Sequence, residues 1–484
     1  MKNQFKVLVF VAIILITLTV CVVSAIGVNT ILGAANAAPM SLAMIAVLFR
    51  PNPTPPPFVP PVVTDRYLTF TAEEDNVKVG FVYFSEDYQT QDAGLNIEYS
   101  LDNGVTFLPY QIALSEEEAF LITLNQGQSV KFRGMNDNLS FYLEDEDDYQ
   151  YLKCVLQGTC KASGDVTSLL NKIGGNIDIQ QYCFCNMFYA CTSLMQAPSL
   201  PSTTLDAYCY SKMFQGCTSL TQAPSLPATT LAEYCYSEMF QGCTSLTQAP
   251  SLPATTLAEY CYYGLFSGCT SLTQAPSLPA TTLAIACYRK LFQGCTSLTQ
   301  APSLPATTLA EYCYSKMFEG CTSLTQAPSL PATTLAEYCY SELFKGCTSL
   351  TQAPSLPATI LATNCYYELF SECTSLTQAP SLPATILATN CYNKMFQGCT
   401  SLTQAPSLPA TTLAGYCYSA MFLGCTSLNY VKAMFLTSPS NSYTNNWLLN
   451  VAATGTFVKN SQASWDVTGA NGIPSGWQVE TADN

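Results

Sequence analysis

Ten pairs of cysteines are the residues of this sequence with the most capacity for chemistry. The first member of each pair recurs every 26 residues, at Cys183, Cys209, Cys235, Cys261, Cys287, Cys313, Cys339, Cys365, Cys391 and Cys417. The second follows eight residues later, from Cys191 to Cys425. Thiols ligate zinc, form disulfides or attack as nucleophiles, and each role needs its own geometry. An interval of eight is not a zinc-ligand spacing, and the chain has no histidine, which removes His-containing zinc sites and both the Ser-His-Asp and Cys-His arrangements. On one helix the two cysteines would lie about 12 Å apart, and on packed neighbouring helices about 8–10 Å, both beyond disulfide reach. The ladder therefore reads as buried, reduced thiols serving as small apolar groups, with no metal and no cofactor. Cys154 with Cys160, or Cys183 with Cys185, is close enough for a local bridge, and spacing does not choose between them. Paired carboxylates are the remaining route to catalysis. The repeat supplies almost no fixed inward acid, so the chain is not expected to be an enzyme.

The elements that carry the thiols follow from the unit Cys235 to Ala258. Placed on a helix, Cys235, Tyr236, Met239, Phe240 and Cys243 share an arc of roughly 140°, with Ser237, Glu238 and Gln241 opposite. Across the copies the inward residues are nearly fixed while the outward ones drift. Gly242 marks a left-handed terminator, and Thr230 with Glu233 has capping-box spacing. Leu246, Ala249 and Leu252 then read as the inward side of a short strand bent at Pro250 and Pro253, leaving Thr247, Gln248 and Ser251 outward. The expected structural core is Cys235, Met239, Phe240, Cys243 and Leu246. One strand and one short helix per unit predict an α/β solenoid of leucine-rich-repeat type with ten 26-residue units. An all-β, immunoglobulin-like sandwich is expected to precede it.

The pattern Met/Leu-Phe-x-Gly-Cys-Thr-Ser-Leu, followed by Leu-Pro and a second apolar residue, resembles the BspA-like leucine-rich repeat surface proteins over about Tyr182 to Tyr430. The resemblance implies an exported protein of a host-associated bacterium, and some members are adhesins for host matrix proteins or other cells. This chain departs from the common unit by the extra Pro224-Ser225 and by its second cysteine.

Charge and apolar runs divide the rest. Of a formal net charge of -15, nearly all falls between Asp65 and Asp148, where 18 acidic residues face 4 basic ones. Such a balance excludes nucleic acid and gives no basic surface for anionic lipid. Val7 to Val28 is an uncharged apolar run behind Lys2 and Lys6; it reads as a membrane anchor or signal peptide, with Ala35-Asn36-Ala37 as a cleavage site, so residues 1–37 direct export and 38–63 form an apolar, Pro-rich linker. Residues 64–148 carry seven short alternating runs with a hairpin signal at Asp102-Asn103-Gly104, hence the acidic β-sandwich. The acidic run Glu144 to Asp148 is contiguous, unlike a calcium loop, and reads as a solvated edge. Residues 149–181 are expected to cap the solenoid, 182–430 to be the repeats and 431–484 the C-terminal cap. There Trp447, Trp465 and Trp477 either close the core or stack on sugars.

The outward positions Thr221, Gln222, Thr247, Gln248, Gln274, Gln300, Gln326, Gln352, Gln378 and Gln404 form a periodic ribbon. A ribbon of this kind suits a polymeric protein or glycan partner engaged multivalently at the cell surface. The competing reading is a stalk or spacer that presents the β-domain, and a third places the partner on the acidic domain itself.

Overall fold

Every fourth residue of the segment expected to be a helix has a left-handed backbone: Tyr234 (φ 53), Glu238 (φ 53) and Gly242 (φ 72). No α-helix spans two such residues, and in this computed structural model, which describes residues 66–85, 90–143 and 148–483, the repeats contain none. Instead, Cys235 to Cys243 is a run of consecutive turns. Its N–H groups alternate between two kinds of partner. Ser237, Gln241 and Cys243 donate three residues back, to the carbonyls of Tyr234, Glu238 and Phe240, at 3.0 Å each. Tyr236, Glu238, Phe240 and Gly242 donate to the next coil, to Cys261, Tyr263, Leu265 and Ser267, at 2.7 to 3.1 Å. Both sets are satisfied, which accounts for the backbone donors of a buried segment. The αL conformations of Tyr234 and Glu238 are unfavourable for side-chain-bearing residues, and the intercoil bonds offset their cost.

The turn run explains why the inward face was legible while its secondary structure was not. Two residues in and two out gives a period of four, and over nine residues this is nearly indistinguishable from 3.6. Cys235, Met239, Phe240, Cys243 and Leu246 are all fully buried. With no helix to cap, Thr230 forms a parallel bridge with Thr204 instead. The strand is reduced as well. Pro250 and Pro253 lack N–H donors, so the Leu246 to Leu252 segment keeps isolated bridges such as Gln222↔Gln248 and Gln248↔Gln274.

Rings stack along the core from coil to coil. Phe292, Phe318 and Phe344 are 5.8 and 5.7 Å apart between centroids, nearly parallel. Tyr314 and Tyr340 stack at 5.9 Å in a second buried column.

Ahead of the array, strands β1 (Leu68–Ala72), β2 (Val77–Phe84), β3 (Ile97–Ser100), β4 (Leu108–Tyr110), β5 (Ile122–Leu124), β6 (Ser129–Gly134), β7 (Ser140–Leu143), β8 (Asp148–Gln157) and β9 (Cys160–Ser163) build two sheets. Their orders are β10-β9-β1-β6-β3-β4, where β10 is Leu194–Gln196 of the first coil, and β5-β2-β8-β7. Phe81 of β2 meets Phe132 of β6 edge-on at 4.9 Å, joining the sheets. Residues 149–181, expected as a cap, thus supply most of β8 and all of β9, besides a single helical turn α1 (Ser168–Asn171). β9 pairs in parallel with β10, and Cys154 N–H donates to Met187 O at 2.7 Å, so the sandwich strands cover the first coil.

Beyond Cys425 the sequence repeat fades but the coil persists. Phe422 N–H donates to Trp447 O, and β11 (Tyr430–Ala433), β12 (Thr456–Asn460) and β13 (Gln478–Ala482) run parallel. Trp447, Trp465 and Trp477 are buried, and their indole N–H groups donate to Gly472, Phe435 and Ala452 carbonyls at 2.9, 3.1 and 2.8 Å. They close the core, and the sugar-stacking alternative is excluded by their burial. The apolar run Val7 to Val28 and acidic residues 144–147 lie outside the described residues. Among those described, no helix is long and apolar enough to cross a membrane.

Candidate binding surfaces

The thiols are the most reactive side chains of the array. Every cysteine among the described residues is buried and none of them is in a disulfide, Cys154, Cys160, Cys183 and Cys185 included. The helix spacing that argued against bridges between coils does not apply, since the coils hydrogen-bond directly to one another. In the second column each thiol is instead engaged by a carbonyl: Cys243 Sγ donates to Phe214 O and Cys269 Sγ to Phe240 O, both at 3.1 Å. Burial pushes the Cys235 and Cys243 thiols up to about 12, which leaves them protonated and poor nucleophiles. No group of three or more His, Cys, Asp or Glu among the described residues is placed to hold a metal ion.

The Thr-Gln ribbon is displayed in full. Thr221, Gln222, Thr247, Gln248, Gln274, Gln300, Gln326, Gln352, Gln378 and Gln404 are all exposed. The backbone holds them in line: Thr247 N–H reaches Thr221 O at 3.4 Å, and bridges tie Gln248 to Gln274 and Gln274 to Gln300. Adjacent coils thus present their amides at about one strand spacing, roughly 4.8 Å. Between coils, Thr377, Gln378, Ala379, Thr403, Gln404, Ala405 and Pro406 line an open recess of about 550 Å³. The surface is uncharged, offers donors and acceptors at a fixed period, and holds no acid–base pair.

A second feature lies on the turn side, where an ion-pair ladder crosses four coils. Lys316 Nζ lies 3.1 Å from Glu342, Lys345 lies 3.2 Å from Glu342 and 2.6 Å from Glu368, and Lys394 lies 2.9 Å from Glu368. Burial by itself raises the Glu368 carboxyl, but Lys345, Lys394 and the Tyr367 hydroxyl outweigh it and hold the group at about 2. Sequence reading saw only a drifting outward face. Aligning Lys316, Glu342, Glu368 and Lys394 at their 26-residue spacing gives the signal that was missed.

Because the folded value lies below the roughly 4.3 of an unfolded glutamate, the ladder's stabilisation is complete above that pH and is lost as pH falls through about 2. Glu368→Gln is therefore expected to cost about 1–2 kcal/mol at pH 7, a value between exposed and buried pairs after allowing for solvent screening. Denaturant midpoints of the two proteins should converge as the pH approaches 2.

A repeat array with a solvent-facing polar ribbon, protonated buried thiols and no acid–base pair on that ribbon defines a repeat protein built around its surface. The chain belongs to the BspA type leucine rich repeat region family, which it matches in six copies over residues 176–299, 238–377 and 313–448. Proteins of this family are in general surface or adhesion-related repeat proteins and typically non-catalytic. No curated protein and no solved structure matches the chain.

Proposed function

We propose that the protein is an exported cell-surface binder whose repeat array engages a polymeric partner, a host matrix protein, a glycan or another cell, through the Thr-Gln ribbon and without catalysis. The observation that carries this reading is the unbroken exposure of the Thr-Gln pairs in successive coils. Each pair offers a weak amide and hydroxyl contact, and a partner with its own short repeat meets many of them at once, so that weak contacts add through effective concentration. In this reading residues 1–37 direct export, the Pro-rich segment 38–63 spaces the folded part from the membrane, and the two-sheet unit serves as an immunoglobulin-like module covering the first coil.

The test is binding of residues 64–484 to immobilised mucins, matrix proteins and polysaccharides. Alongside it stands the variant Gln248→Ala, Gln274→Ala, Gln300→Ala, Gln326→Ala, whose substitutions touch only exposed side chains. Capture of a polymeric ligand by the parent, weakened at least ten-fold in the variant, is the expected result. Equal binding by both proteins moves the site to the acidic module, and binding by neither leaves the array as a stalk.

A further inference from the structure

A third longitudinal feature belongs neither to the ribbon nor to the ion ladder. One residue before the first cysteine, seven of the ten coils carry a tyrosine, and six of these, partly exposed, stack face to face. Tyr149 of β8 lies 4.0 Å from Tyr182 between ring centroids, Tyr182 lies 4.6 Å from Tyr208, Tyr208 lies 4.6 Å from Tyr234, and Tyr234 lies 4.5 Å from Tyr260. Within the coils the rings deviate from parallel by only 6 to 14°. Ala286 interrupts the column, and the Arg289 guanidinium takes up the break 4.9 Å over the Tyr312 ring. Stacking resumes at Tyr312 and Tyr338, 4.5 Å apart. Because each inner ring face is covered by its neighbour, the column is no platform for sugars. The tyrosines are nevertheless partly exposed to solvent.

We propose that this column is a site of oxidative tyrosine cross-linking, which welds consecutive coils, and the first coil to the β-sandwich, through dityrosine bonds. The oxidant is hydrogen peroxide, used by a haem peroxidase. Two phenols each give up one electron and one proton, and the peroxide takes both pairs to become two waters. The two phenoxyl radicals join at the carbons ortho to their oxygens, and each ring recovers its aromaticity as the ortho hydrogen moves, as a proton, to the phenol oxygen. The column holds both partners of the coupling side by side, so the bond forms within one molecule at any protein concentration. The array has no disulfide among the described residues, and this bond gives it a covalent tie between coils.

Two internal controls are built into the chain. The buried column that includes Tyr236, Tyr262 and Tyr288 has its rings 5.9 Å apart and is closed to a peroxidase. Tyr416 is half exposed but has Asn390 at the equivalent position of the preceding coil. The experiment is treatment of the dilute full chain with a haem peroxidase and hydrogen peroxide, followed by dityrosine fluorescence and peptide mapping of the monomer. Cross-linked peptides joining Tyr182 to Tyr208, Tyr208 to Tyr234, Tyr234 to Tyr260 or Tyr312 to Tyr338 are expected. The variant Tyr182→Phe, Tyr234→Phe, Tyr338→Phe keeps the ring stack while leaving no adjacent phenols in it. It should lose these peptides and at least three-fold of the monomer fluorescence, with an unchanged circular dichroism spectrum. Dityrosine found only between molecules, mapped to Tyr416 or the buried column, or undiminished in the variant overturns the proposal.

Discussion

Replacing Phe318 by alanine is expected to destabilise the array by about 3–5 kcal/mol. Phe318 is fully buried in the middle of the solenoid, its ring sandwiched between Phe292 and Phe344, and its N–H donates to Leu343 O at 3.0 Å. The substitution leaves that backbone bond in place and removes both ring contacts, so the loss combines transfer and cavity terms. In a one-dimensional array each coil is stabilised mainly by its two neighbours. A defect in a central coil therefore weakens two interfaces, and the unfolding transition should broaden or split as the halves decouple. Urea denaturation followed by tyrosine and tryptophan fluorescence measures this directly, since Trp447, Trp465 and Trp477 report on the C-terminal end alone. A single sharp transition shifted by less than about 1 kcal/mol would mean that the coil stack is not what holds the array together.

How much of this was readable in the residues depends on what each pattern encodes. The 26-residue period, the inward set Cys235, Tyr236, Met239, Phe240, Cys243 and Leu246, and the outward Thr247-Gln248 pair follow from side-chain polarity, which records burial. Backbone conformation is recorded less directly. Nothing in Cys-Tyr-Ser-Glu-Met-Phe-Gln-Gly-Cys states that Glu238 is left-handed, because the bonds that hold it so run to the next coil. Only Gly242 announced its positive φ, and even there Glu372 occupies the equivalent position with φ 63. The thiols' burial was legible, but the separation that keeps them unbridged was argued from helix packing that does not occur. The boundary expected at residue 148 falls at the start of β8, whose Tyr149 and Tyr151 carry no turn signal to mark a break; the turn comes at Gly158 (φ 88). Intercoil features such as the ion ladder and the tyrosine column become visible only when the copies are written in register.

The strict register also makes the length of the ribbon adjustable. Removing residues 235–338 joins Tyr234 to Cys339, deletes four coils and recreates the native Tyr-Cys junction. Six sequence-defined coils remain, with the sandwich strands still covering one end and the tryptophan-lined strands the other. If affinity arises from many equivalent weak contacts, shortening the ribbon lowers avidity for a polymer steeply while leaving each single contact unchanged. Linked sites commonly gain 10²–10⁴ over one site, so loss of four coils should weaken binding to the immobilised polymer by about ten-fold or more. Affinity for a short fragment of the same ligand should stay within about two-fold. The decisive measurement is this dissociation constant, polymer against fragment, in the ten-coil and six-coil proteins. A polymer-specific loss that scales with coil number is the predicted result, and identical polymer affinity for the two lengths would contradict the Thr-Gln ribbon as the binding surface.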